Sequence, residues 1–171
     1  MTRCLVGVLL AVQVAGCTGT WGPKGNETVT TQCAASLGGA RIQRPCEDQF
    51  ETSSANIKLK GSYLETISAE IGYNKDKLVE VTNETVRAVV WLRDLCADWN
   101  ACAISDVDYQ DRKKKLIAIE DNFYAILAKA EALKDSKSKG PADASALADL
   151  GALVDAQRAS VARIASEMKS P

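Results

Sequence analysis

Six cysteines and no histidine set the limits of the chemistry open to this 171-residue chain. Without histidine there is no Ser–His or Cys–His nucleophile pair and no histidine-bearing zinc site. The Glu-x-x-His di-iron sites built into some helical bundles are excluded for the same reason. The cysteines, Cys4, Cys17, Cys33, Cys46, Cys96 and Cys102, contain no Cys-x-x-Cys spacing, so a thiolate zinc site is not expected. No glycine-rich phosphate loop follows a strand, because no segment reads as a strand. The carboxylate pairs Glu65/Glu70 and Glu120/Asp121 read as solvated helix faces. The basic run Arg112-Lys113-Lys114-Lys115 reads as an exposed helix face. Such a run is worth about 1 kcal/mol per charge beside an anionic surface. Asn26-Glu27-Thr28 and Asn83-Glu84-Thr85 match the N-glycosylation acceptor pattern, which matters only in a eukaryotic secretory pathway. The expectation is a protein with no catalytic residues, no metal and no cofactor.

What the cysteines do instead follows from their surroundings. Arg3 precedes the apolar run Leu5–Gly16, whose exit is made of small residues. A positive start, a short apolar stretch and small residues at its end describe a secretory signal peptide over residues 1–16. The run is too short to span a bilayer as a stable helix. Its end, Val14-Ala15-Gly16-Cys17, resembles the lipobox of bacterial lipoproteins. That resemblance covers residues 1–17 only. It implies cleavage before Cys17, a thioether-linked diacylglyceryl group and usually an amide-linked third chain, such as palmitate, on the new terminus. One acyl chain holds a protein only marginally, whereas two or more anchor it durably. In the Gram-negative sorting scheme an aspartate after the lipidated cysteine retains the protein at the inner membrane. Thr18 stands there instead, so the resemblance favours the outer membrane, facing the periplasm or the surface.

With Cys4 removed and Cys17 acylated, Cys33, Cys46, Cys96 and Cys102 remain, an even number suited to two disulfides in an oxidising compartment. Proximity favours Cys33–Cys46 and Cys96–Cys102. On a continuous helix the second pair would sit about 9 Å apart along the axis and point to different faces. That pairing therefore requires the helix to end near Asn100. The alternative is cross-pairing, which ties the amino-terminal segment to the helical body. The formal net charge of −1 excludes nucleic acid as an electrostatic partner.

These residues must be positioned by a largely helical body. Residues 17–46, rich in Thr, Gly and Pro, are expected to form a lipid-anchored tether and a disulfide loop, with residues 18–32 spanning roughly 20 Å as coil. Residues 47–171 are expected to form a helical bundle. Two seven-residue series, Ile57 to Trp99 and Lys60 to Cys102, are apolar at all but Thr85, Lys60 and Asn74. The segment Gly72-Tyr73-Asn74-Lys75-Asp76 carries the residues of a helix stop and restart, giving helices of about 22 and 26 residues. Two further amphipathic stretches, about 106–135 and about 142–168, complete the pattern. The last has Gln157 as its one polar intruder. The favoured fold is an all-α, antiparallel, up-and-down four-helix bundle. The alternative has three helices, the first of them long and unbroken. The second helix is apolar over more than a narrow seam, so it should be the most buried element or the one facing a partner. Val86, Val90 and Trp91 are the candidate partner-facing residues. The expected function is that of a non-enzymatic, membrane-anchored envelope lipoprotein, a helical module offered to another envelope protein or to a second copy. The alternative is a secreted, disulfide-stapled effector or inhibitor without lipid.

Overall fold

The computed structural model describes residues 29–137 and 144–168. The expected signal peptide, Cys17, the tether up to residue 28, the Asn26 acceptor pattern and residues 138–143 lie outside these. Four helices dominate: α1 (Asp48–Ile71), α2 (Lys75–Asn100), α3 (Asp106–Lys137) and α4 (Ala144–Met168). They form the up-and-down four-helix bundle that the apolar periodicity implies, and the unbroken first helix does not occur. The central pair is α2 and α3, each packed on the other and on both remaining helices. Among the described residues, α1 and α4 flank that pair without comparable contact with one another.

Local chemistry sets the helix ends. Gly72 takes a left-handed conformation (φ 74°), which glycine adopts without the steric cost borne by other residues. The N–H groups of Gly72 and Tyr73 both donate to the Ser68 carbonyl, closing α1. Asn74 then restarts the chain. Its Oδ1 accepts from the Lys77 N–H at 3.3 Å, and Asp76 complements the positive end of α2. Ser105 opens α3 in the same way, its Oγ accepting from the Asp108 N–H at 3.1 Å.

The heptad residues pack as two adjoining apolar clusters, one around Leu64, Leu78, Phe123 and Leu150, the other around Leu95, Trp99, Leu116 and Val161. The polar exceptions on the stripes of α2 and α4 find each other. Gln157, fully buried, donates through Nε2 to Thr85 Oγ1 at 3.1 Å and to the Ile119 carbonyl at 2.9 Å. The Thr85 hydroxyl donates in turn to the Val81 carbonyl at 2.7 Å. Sliding α4 along its neighbours would strand these groups without partners, at about 1–3 kcal/mol each. The pair therefore fixes the register of α4 against α2 and α3.

Two expectations are corrected at the amino-terminal side. Residues 30–42, read as the end of the tether and a loop, form a β-hairpin: β1 (Thr30–Gln32) pairs antiparallel with β2 (Ala40–Ile42), and Thr31 faces Arg41. Three-residue strands are too short to display an alternating pattern, and the turn between them contains a single 3₁₀ turn at Ala35–Leu37. The local disulfides Cys33–Cys46 and Cys96–Cys102 do not form. The pairs are Cys33–Cys102 and Cys46–Cys96, with Cα separations of 5.5 and 5.8 Å. The helix does end at Asn100, as local pairing requires, but Cys96 sits on its buried face. The hairpin segment and the residues just after it supply the partners of both helix-end cysteines, which is the alternative cross-pairing.

Where α1 crosses α2, Gly61 is buried, and a Cβ there would fall inside the van der Waals radius of the Thr82 side chain. That side chain cannot swing away freely, because its Oγ1 donates to the Leu78 carbonyl at 2.9 Å. Helix propensity alone would make Gly61→Ala stabilising by about 1 kcal/mol. The close approach reverses the sign: Gly61→Ala is expected to lower unfolding free energy in urea by about 1–3 kcal/mol. Adding Thr82→Ala should recover part of that loss, whereas a stabilised single variant would contradict this packing.

Candidate functional site

The described residues that carry chemistry gather where the hairpin meets the end of α2. The helix finishes with a wound-back turn: the Cys102 N–H donates to the Trp99 carbonyl (3.1 Å) and the Ala103 N–H to the Asp98 carbonyl (2.8 Å). Cys102 occupies the left-handed position (φ 60°) that glycine usually fills. Its side chain is thereby turned toward Cys33, and the disulfide holds the turn from outside.

Arg41 enters from β2 and is 4% exposed, an unusual place for a cation. Its guanidinium meets carbonyls rather than carboxylates. Nη1 donates to Trp99 O at 2.7 Å, and Nη2 donates to Ile104 O at 2.9 Å and to Leu37 O. These carbonyls include one at the negative end of the α2 dipole, so a positive charge is favoured there. The guanidinium carbon also lies 5.0 Å from the centre of the Trp99 ring. One side chain therefore joins the hairpin, the end of α2 and the approach to α3.

Arg44 follows on the outer side. Its backbone N–H donates to Asn100 Oδ1 (3.0 Å), and its carbonyl accepts from Asn100 Nδ2 (2.9 Å). So held, its guanidinium stacks 4.5 Å from the Trp99 ring and 5.1 Å from the Tyr109 ring, and Nη1 donates to the Tyr109 hydroxyl at 3.3 Å. Lys113, one turn along α3, places its ammonium 5.8 Å from the same tyrosine ring. Both cations border a cleft of about 530 Å³ between α1, α2 and α3. Phe50, Leu92 and Ile117 give it apolar walls, and Glu120 closes one end. Burial, with a smaller contribution from the neighbouring Asp121 charge, pushes the Glu120 carboxyl above the ordinary glutamate range.

The other sequence candidates are dispersed. Glu65 pairs with Lys75 and Glu70 with Lys134, each at 3.5 Å, so these two carboxylates belong to separate ion pairs. The basic run also divides. Lys115 bridges Asp111 and Glu167 at 2.9 Å, toward α4, while Lys113 turns to Tyr109. Asn83 is exposed on α2. Val86 and Trp91 are half-buried, packed against the first and second apolar clusters respectively, and Val90 is 38% exposed at a groove shared with α1. Contact with three helices accounts for the breadth of the apolar surface of α2. No group of three or more metal-ligating side chains occurs among the described residues, and no helix there is long and apolar enough to cross a membrane.

Sequence reasoning did not find Arg41, Arg44 or Tyr109 as a cluster. Helical periodicity says nothing about a hairpin arginine, and the one available signal was the possibility of cross-paired cysteines. Comparison with known protein families, curated proteins and solved structures finds no match.

Arg41→Met is expected to lower stability by about 2–4 kcal/mol, because three carbonyls lose a charged donor. Arg41→Lys should restore less than half of that, since an ammonium lacks the planar fork. Urea unfolding under non-reducing conditions provides the measurement. A loss under about 0.5 kcal/mol, the range of ordinary surface substitutions, would show that the arginine does not hold this corner together.

Proposed function

We propose that the chain is a non-enzymatic lipoprotein of the bacterial envelope, anchored through acyl chains on Cys17, with the outer membrane as its favoured site. The observation that carries this reading is the setting of Cys17 behind Val14-Ala15-Gly16 at the exit of a short apolar run. The disulfides support it. They suit an oxidising compartment, and all four cysteines among the described residues are used in them, so none of these is a partner for Cys17.

On this reading the bundle has a polarity relative to the membrane. Eleven residues lie between Cys17 and Val29, so the proposed anchor joins the described chain close to the hairpin. The hairpin that follows is fastened to the junction of α2 and α3, which supports a reading in which that end lies toward the lipid. The opposite end, with the Gly72–Asn74 turn, then projects outward by the length of a 26-residue helix, about 39 Å. Outward display of helical surface suits a structural or binding module for an envelope protein or a second copy.

Cells expressing the chain and fed radiolabelled palmitate should incorporate label into it, and the protein should sediment with membranes. Cys17→Ser should abolish both. Equal labelling of the variant, or recovery of wild-type protein from the medium with an unmodified terminus, would contradict the anchor and favour the secreted effector or inhibitor.

A further inference from the structure

The cleft beside Tyr109 has features that the anchoring role does not use. Arg44 and Lys113 converge on one aromatic ring, and neither has a carboxylate within ion-pair distance among the described side chains. Arg44 is also fixed in place, its backbone held on both sides by Asn100 and its guanidinium laid over two rings. A positioned cation with no internal counter-charge is suited to an anion from outside. Next to it the floor is apolar, formed by Phe50, Leu92 and Ile117, and the volume of about 530 Å³ lies in the usual range for small-ligand sites.

We propose that this cleft binds a small amphiphilic monocarboxylate, its anionic head on Arg44 and Lys113 and its apolar body along Leu92 and Ile117 toward Glu120. Lys113 and Glu120 are seven residues apart on α3, about 10 Å along the helix axis. That distance sets the length of the ligand at that of a medium acyl chain or a substituted aromatic acid. Glu120 at the far end opposes a second negative group, so the ligand carries its charge at one end only. The site goes beyond the anchoring role and stands or falls independently of it.

The test uses the mature chain from residue 17 carrying Cys17→Ser, which keeps the whole bundle and hairpin and needs no detergent. Octanoate, 1-octanol and the eight-carbon dicarboxylate suberate are titrated against ¹⁵N-labelled protein and followed by amide chemical-shift changes. Octanoate should shift amides around Tyr109, Ile117 and Glu120 in a saturable way. Octanol and suberate should each bind about fivefold or more weakly. Lys113→Gln, with the thermal midpoint followed alongside to separate binding from folding, should weaken octanoate about three- to tenfold and leave octanol unaffected. Equal binding of octanoate and octanol, stronger binding of suberate, shifts centred elsewhere, or no saturable shift with octanoate would each overturn the proposal.

Discussion

The corner at the end of α2 is the constraint on which the rest of the molecule depends. Cys102 holds a left-handed conformation that costs a non-glycine residue about 1 kcal/mol or more, and its disulfide to Cys33 supports that conformation from outside the helix. The two nested disulfides have sequence separations of 69 and 50. In the chain-entropy account, loops of that size stabilise by about 4 kcal/mol each. The local pairing of the same cysteines would give about 2–3. Because one loop lies inside the other these figures do not simply add, but their direction is clear. Arg41 completes the junction by giving the exposed carbonyls of the turn a cationic donor, so that hairpin, helix end and following loop behave as one unit.

From that corner the bundle is ordered by two different kinds of contact. Apolar burial along α2 and α3 supplies the bulk of the driving force, with side chains such as Phe123 and Leu78 contributing about 1.5–3 kcal/mol each. Burial is non-directional, though, and would tolerate several registers. The Thr85–Gln157 contact is directional and selects one. Gly61 acts similarly at the other interface, letting α1 approach α2 more closely than any residue with a side chain would permit. Specificity in this core thus comes from its exceptions to apolar patterning.

Much of this was legible in the sequence, for physical reasons that differ by element. The bundle was readable because burial imposes a helical period on apolar residues over many turns. The break at Gly72–Asn74 was readable because a left-handed glycine followed by a capping asparagine has a mechanism attached to it. Thr85 and Gln157 each stood out as intruders, but their meeting across helices was not visible, since a stripe gives spacing along one helix and not height relative to another. The hairpin was missed because its strands are three residues long. The cross-pairing stood only as the alternative to local pairing, because proximity along the chain was favoured and nothing in the sequence showed a hairpin carrying Cys33 and Cys46 to the end of α2. Arg41 and Arg44 lie on β2 and just after it, and Tyr109 on α3, two parts of the chain that the nested disulfides and the hydrogen bonds around them bring together. The cleft they border was therefore invisible until the pairing was known.

The same junction gives the functional reading its geometry. With the hairpin fastened to the α2 end, the proposed lipid on Cys17 would join the bundle at that end, the end that holds the cleft beside Tyr109. If the cysteines paired locally instead, the hairpin would be free to leave the helices, and both the polarity and the cleft would be lost. Peptide mapping of the intact protein, digested without reduction and analysed by mass spectrometry, tests this directly. The account predicts cross-linked peptides joining Cys33 to Cys102 and Cys46 to Cys96, while peptides joining Cys33 to Cys46 and Cys96 to Cys102 would contradict it.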